Sequence, residues 1–545
     1  MIATDQRRAD TSAPTGTASK GWPRFLLPSV RDLVFLLAFW ALLVGPLSNR
    51  PLADADIGWH IRTGEQILAT HSVPRVDSFS STMQGQPWFA WEWLYDTLLG
   101  VVYGSMGLNG VVWLAALLMS TAFAVLFWQM LARGTGLPVA LLLWLLVLGA
   151  SSIHVFARPH IVSWLFTLLW FVALERWEQG SAPLWLRWFF PLSMLLWVNL
   201  HGGWLLGMTL LAIYALAAFV ESLRGSDAIA RILSAHRARA MSWTFAASAV
   251  ATVVNPYDVR LHAHIYRYLS DPYLMNRIAE FRSPDFHGWG QRCFVVILVL
   301  VLIAATGNRA AGNRVKMRVS HWLVVVFSAW AGVYAVRNLP VSAMLLALIV
   351  GPHLRESLAG LAERPGAWGP VQRGAAWLSG FAARVGTQEF QLRGHLWPVL
   401  GVIAALAICL NGGRVGSQLL IQKEFDTTHL PVGAVDYLER ERSAEPVFGP
   451  DQWGGYLIYR LYPRRKVVID DRHDLYGSAR FREYLILMQG EPGWKEVLEK
   501  WRIQAVVLPT GSTLANLLKQ IPQQWQTVYQ DNAAVIMKRQ SEGDL

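Results

Sequence analysis

Apolar runs recur through the first three quarters of this sequence, near residues 33–48, 110–131, 138–156, 161–174, 188–199, 203–220, 240–254, 293–307, 320–336, 341–353 and 396–411. A hydrocarbon layer leaves backbone polar groups no solvent, so each such run must be a helix if it crosses. The pattern predicts a polytopic α-helical membrane protein with about eleven transmembrane helices. Several runs are near fifteen residues, short against the ~20 that cover a bilayer core. Composition agrees: the chain is 53% hydrophobic and 16% charged, where a soluble domain carries roughly 25% charged residues. Disorder, a coiled coil and an ordinary cytosolic enzyme are excluded. The formal net charge of +11 is explained by basic loops beside anionic lipid. No basic-aromatic module of the kind that reads bases is present, so nucleic acid is not an expected partner. Cys293 and Cys409 lie far apart in apolar runs and give neither a metal site nor a disulfide framework.

Lys and Arg placement sets the orientation. Arg7, Arg8, Lys20, Arg24 and Arg31 precede the first run. Every second gap after it is basic: Arg133; Arg176 and Arg187; Arg224, Arg231, Arg237 and Arg239; Arg309, Arg314, Lys316 and Arg318; then five arginines from Arg355 to Arg393. This alternation predicts a cytoplasmic tail over 1–32, a transmembrane part over 33–412 with a long first outer loop at 49–109, and an extracytoplasmic part over 413–545. A rival reading makes residues 1–55 a signal peptide with Ala53 and Ala55 at its cleavage site; the tail is long for that.

Unusual residues then gather on the outer side. The first outer loop reads DADIGWHIRTGEQILATHSVPRVDSFSSTMQGQPWFAWEWLYD. Residues 58–70 suit a helix lying on the membrane surface, with Trp59, Ile61, Ile67 and Leu68 near one face; residues 90–107 suit a second. Asp54 and Asp56 point the same way in an extended segment, roughly 7 Å apart. They suit sharing of a divalent cation, or one acting as base while the other orients; the alternative is a cap for the 58–70 helix. His60 follows. Further candidates end other spans: Arg158 and His160 in ARPH, Asn199 and His201 in NLHGG, NPYD at 255–258, Asp285 in SPDF, and Arg337 in RNLP. Each alone reads as a snorkelling side chain. Together, at one membrane depth, they argue for a shared cavity.

The 413–545 part changes composition and predicts a small α/β domain. Helices are expected near 431–442, 453–462, 478–489, 492–501 and 513–520. Strands are expected at 466–470, 504–508, 526–529 and 534–538. Trp453, Tyr456, Asp470 and Arg472 lie in its WGGY and VVIDDR segments.

These motifs, in order DADIGWHIRTGE, VPRVDSFS, WEW, NLHGG, NPYD, SPDF, RNLP and WGGYL with VVIDDR, resemble those of a large, largely uncharacterised group of bacterial GT-C-type membrane proteins. The resemblance covers nearly the whole chain beyond residue 30. It implies a membrane glycosyltransferase that takes a sugar from a polyprenyl-phosphate donor on the outer face of the cytoplasmic membrane. The acceptor is a glycan, lipid or protein. Asp54 and Asp56 become the base and metal candidates, with Asp54 as base, Asp56 as ligand, and Mg or Mn as a possible cofactor. Arg337 and Arg158 become the phosphate candidates. The layout looks like that of oligosaccharyltransferases, whose WWDYG element QWGGY resembles without its aspartate. Protein O-mannosyltransferases and aminoarabinose transferases share the layout. Two other readings remain: a non-catalytic scaffold in glycan assembly or export, and a transporter, which would show internal repeats and mid-membrane charges.

Overall fold

The computed structural model describes residues 26–540 apart from Ala182, Ser226, 311–316, 364–367, Phe390 and Arg393. The basic-tail residues Arg7, Arg8, Lys20 and Arg24, together with Arg314, Lys316, Arg364 and Arg393, lie outside the described residues.

Every expected apolar run overlaps a helix. Among the described residues, five helical stretches are long and apolar enough to cross a membrane: Trp93–Ala132, Leu137–His154, Trp204–Arg224, Trp289–Thr306 and Val336–Glu363. Leu186–Leu200, Val319–Tyr334 and Leu396–Leu410 are apolar but shorter. The protein is a multi-pass membrane protein. Its helices bear large apolar side chains outward, among them Leu145, Leu302, Val326 and Trp330, as a lipid-facing surface requires.

The first long loop departs from its expected form. The helix at Ile57–Thr70 exists, yet Trp59, His60, Ile61, Thr63, Gly64 and Ile67 are all buried. It is clasped between two helices rather than lying free on a membrane surface. On one side Gly64 meets the start of Trp93–Ala132 so closely that a Cβ there would stand 1.9 Å from the Asp96 carbonyl oxygen. On the other side it packs on Asp451–Leu461. The expected 90–107 helix is continuous with the following span through a bend at Gly107, whose φ of 59° and ψ of −150° leave the helical region.

At the C-terminal end a four-stranded sheet runs in the order Val447–Phe448, Ala505–Pro509, Ala534–Arg539, Trp525–Gln530. The first pair is parallel and the others antiparallel. Helices form at Val432–Arg440, Asp451–Leu461, His473–Gln489, Trp494–Lys500 and Thr513–Lys519, near the expected places. The KVVID segment is the exception. It is not a ladder strand: Val467 makes single bridges to Val447 on one side and to Ser80 on the other. Its hydrogen bonds are spent joining the sheet to the first long loop. The Ser81 amide donates to the Val467 carbonyl at 2.8 Å, the Val467 amide to Phe79 at 3.2 Å, and Thr82 Oγ1 to Val468 at 2.6 Å. One buried apolar cluster accordingly runs from the membrane helices into the sheet.

Candidate active site

The first long loop, the ends of several helices and the VVIDDR segment meet at one place. The ARPH turn is fixed there by the Ala157 amide on the Pro51 carbonyl at 2.9 Å and by the Tyr95 hydroxyl on the Ala157 carbonyl at 3.1 Å. Arg158 thereby reaches three carboxylates. Its Nη1 lies 3.0 Å from Asp54 Oδ2 and 3.1 Å from Glu280 Oε1, and its Nη2 lies 3.0 Å from Asp56 Oδ2. Asp54 turns its other oxygen onto the Asp56 amide at 2.9 Å. Asp56 makes no capping bond to the helix it precedes, so it is not the helix cap that its position allows.

Asp56 is instead aimed at Asp471. The two carboxyls face each other within hydrogen-bonding reach. Asp56 Oδ1 and Asp471 Oδ1 are buried, and neither has an N–H partner. Two carboxylates this close cannot both ionise easily. Burial, opposed by Arg158 and reinforced by the Asp54 charge, pushes Asp56 up to about 6. Burial and the Asp56 charge hold Asp471 well above the ordinary carboxyl range, so the pair holds a proton near neutrality. Glu280 goes the other way: burial is outweighed by Arg158 and Arg337, which draw it below its usual value.

Backbone contact sets this geometry. Gly455 lies so near the loop that a Cβ would stand 2.4 Å from the Ala55 carbonyl oxygen and 2.8 Å from Asp56 Cα. At Gly454 a Cβ would fall 2.4 Å from the Asp470 Cβ. The glycine pair of WGGY is a seat for the DAD segment and for the VVIDDR turn.

A second group adjoins the first. His60 Nδ1 lies 2.6 Å from Asp96 Oδ1, and Glu92 lies between His60 and His201, at 3.8 and 3.6 Å. Ser163 Oγ lies 2.7 Å from His201 Nδ1 and accepts the Trp197 indole N–H at 2.7 Å. Burial, opposed by Arg158 and Arg337, pushes Glu92 up to about 8. Burial with the Arg158 and Arg337 charges, respectively, keeps His60 and His201 well below the usual imidazole value, hence neutral. The His160 ring lies 6.5 Å from that of His201. Arg337 places its guanidinium over the Phe281 ring at 4.6 Å and has no ion-pair partner among the described residues.

The structure thus brings Asp54, Asp56, His60, Arg158, His160, His201 and Arg337 to one site. It sends others elsewhere. Asn199 accepts the Trp93 indole N–H at 2.7 Å and donates to the Leu195 and Val254 carbonyls, which is helix packing. Asp285 is exposed and accepts from the His287 amide. Trp453 donates to the His429 carbonyl, and Tyr456 is buried against Phe425. In NPYD, Tyr257 accepts the Ala90 amide and donates to the Pro74 carbonyl, bracing the first long loop. Asp470 and Arg472 form a buried bidentate pair at 2.8 Å, and Arg472 also holds Asp77 at 2.8 Å. The neighbouring Asp471 is the residue of that segment that enters the site.

Glu92 and Glu280 are site residues that sequence reasoning did not single out, and Asp471 stood out only as one of four residues, Asp470 to His473, at the end of the KVVID segment. Glu92 stands in WEW and Asp471 in IDDR, so both carried a motif. Glu280 lies in a 3₁₀ turn, Ala279–Phe281, with no motif of its own.

One group of three potential metal ligands occurs among the described residues. Glu175, Glu178 and His321 bring ligand atoms within 4.8 Å of one another. They lie at the opposite end of helix His160–Glu178, where Arg133 and Arg318 take the carboxylates. Asp56 Oδ1 and Asp471 Oδ1 face each other without an N–H partner, and with waters and a donor phosphate completing the shell they would suit one Mg or Mn ion, although the Arg158 guanidinium already supplies positive charge there.

No family model matches this chain, and no curated protein sequence matches it. Solved structures do. The archaeal oligosaccharyltransferase AglB from Archaeoglobus fulgidus, in complex with an inhibitory peptide and a dolichol-phosphate, superposes with a TM-score of 0.51 at 11% identity, over 95% of this chain and 74% of that one. The fold is of the GT-C type. ArnT from Cupriavidus metallidurans bound to undecaprenyl phosphate matches at a TM-score of 0.47 and 13% identity, over 94% of this chain and 97% of that one.

Proposed function

We propose that this chain is an inverting glycosyltransferase that moves a sugar from a polyprenyl-phosphate donor to an acceptor hydroxyl at the outer face of the bacterial cytoplasmic membrane. The observation that carries the reading is Asp56: a buried carboxyl with one oxygen on Arg158 and the other turned to Asp471, with which it shares a proton. Its value of about 6 lies close to the working pH, where a general base is most effective. The GT-C fold, and the dolichol-phosphate bound by AglB, support the donor class.

The steps follow from the charges. An acceptor oxygen attacks the anomeric carbon from the side opposite the phosphate. The carbon–oxygen bond to the phosphate breaks, and its electron pair leaves with the polyprenyl phosphate. The acceptor proton passes to Asp56. Asp54 holds Arg158 and the Asp56 amide and so positions the base. Arg337, uncommitted to any carboxylate, takes the departing phosphate oxygens, which a guanidinium grips by two parallel bonds. Neutral His60 and His201 are hydrogen-bonding groups for sugar hydroxyls rather than phosphate cations.

Arg158 fills the role of a cation here. Purified protein given a polyprenyl-phosphate sugar should therefore release polyprenyl phosphate at an unchanged rate after treatment with a strong chelator. Loss of turnover that Mg or Mn restores would show that a metal, not Arg158, carries the charge.

The orientation belongs to the same proposal, since a donor head group must meet the site on one side. Reporter fusions after residues 235 and 430 should read inside and outside respectively. A cytoplasmic signal at 430 would place the site on the wrong face for this reaction.

A further inference from the structure

Beside the charged centre a cavity of about 490 Å³ opens between the first long loop, helix Val259–Leu269 and the start of His473–Gln489. That volume lies within the range of small-ligand sites. Tyr268 is the shared wall. Its ring lines the cavity, stands 6.3 Å from Trp91 next to Glu92, and stands 5.7 Å from Phe281, on which Arg337 rests. One wall of the cavity thus packs against the side chains next to Glu92 and under Arg337.

The lining is aromatic faces interleaved with hydrogen-bond acceptors. Phe89 stacks on His264 at 4.3 Å and 17°, and Tyr476 and Tyr268 complete the ring-bearing walls. Asp474 binds His264 through Oδ2 at 3.0 Å, and its Oδ1 has no partner among the described residues. Asp271 spends Oδ1 on the turn amides of Tyr273 and Leu274. Two carboxylates face one arginine, Arg267, so an anionic ligand gains nothing here. No sheet edge lines the cavity, so an extended peptide finds no strand to pair with. Gly477, with φ of 66° and open space where a Cβ would stand, keeps the mouth clear.

From this juxtaposition we infer that the cavity is the acceptor subsite and that the acceptor is a neutral, hydroxyl-rich glycan. Sugar rings present apolar faces to the aromatic walls and hydroxyl donors to Asp474 and Asp271. The inference rests on the proposed glycosyl transfer and narrows its acceptor to carbohydrate, against protein or an anionic lipid head group.

The test is binding, which is separable from turnover. The full-length protein in detergent micelles is titrated by saturation-transfer NMR with neutral trisaccharides built on glucose, mannose, galactose and N-acetylglucosamine, and with terminally blocked hexapeptides. At least one saccharide series should bind saturably. Asp474→Asn should weaken it about tenfold, the scale of one hydrogen bond to a charged group. Ala479→Trp, which fills the cavity from an exposed position, should abolish it while leaving undecaprenyl-phosphate binding intact. Absence of saturable saccharide binding, saccharide binding unmoved by both substitutions, or peptide binding blocked by Ala479→Trp would each overturn the inference. Saccharide binding without any sugar transfer would leave the subsite standing and remove the proposed reaction.

Discussion

Asp56→Asn is expected to lower sugar transfer by 10²–10⁴-fold, the usual cost of losing a positioned general base. The substitution keeps size and hydrogen-bonding capacity, and Arg158 retains Asp54 and Glu280. The pH dependence identifies the group. Transfer by the native protein should fall about tenfold per unit below the value near 6 at which Asp56 takes up a proton, because the base must be ionised. The residual activity of the Asn variant should be flat through that window. Stability moves the other way. A carboxyl raised from 3.8 to about 6 on folding binds its proton more tightly in the folded state. Native stability therefore declines as pH rises from about 4 to 6 through this group. Asp56→Asn removes that cost, so its thermal midpoint at pH 7.5 should equal or exceed the native one. A variant that folds and transfers at the native rate would remove Asp56 from the chemistry.

Arg472→Ala should produce the largest loss of stability, about 3–5 kcal/mol, because it leaves two carboxylates buried without their cation. Asp77 and Asp470 are buried, and burial of Asp77 is outweighed mainly by the Arg472 charge, which holds it below its ordinary value. Arg472→Lys should recover little, since one ammonium cannot replace the bidentate fork on Asp470 and the third bond to Asp77. Arg472 also lies at 4.6 Å over the Trp88 ring, so the same side chain ties the first long loop to the sheet. The measurement is thermal unfolding followed by intrinsic fluorescence, alongside transfer. Transfer should fall with stability, because Asp471 is the next residue in the chain. An unchanged midpoint would show that this pair does not fasten the loop to the sheet.

The candidate site was legible in the sequence where a residue type and its place agreed. Arg158 sits in a turn too short to be wasted on charge, and Asp54 with Asp56 follows a span. Both are in the site. The IDDR segment was legible only as a segment. Which of Asp470 and Asp471 faces the base depends on a backbone turn set by Gly454 against Asp470, and no spacing rule reports that. Glu280 carries no motif; it matters because the Val336 amide on the Arg282 carbonyl at 3.0 Å draws its turn to the RNLP end.

Local sequence alone determined what short-range physics controls. Apolar runs had to be helices, because hydrocarbon leaves no other way to satisfy their backbones, and each overlaps one. In the C-terminal part the five helices and the three strands at Ala505–Pro509, Trp525–Gln530 and Ala534–Arg539 followed from local pattern, whereas the edge strand Val447–Phe448 did not. Tertiary structure decided what depends on neighbours distant in the chain. Ile57–Thr70 has the pattern of a membrane-surface helix and is buried on both sides, because Gly64 and Gly58 admit the backbones of two other helices. KVVID has the composition of a ladder strand and instead bridges two parts of the molecule, because Val447 pairs with it on the sheet side while Phe79, Ser81 and Thr82 of the first long loop bond its backbone on the other. The raised values of Asp56 and Glu92 are likewise tertiary: burial, helped by neighbouring carboxylates and only partly offset by Arg158 and, at Glu92, Arg337, creates them.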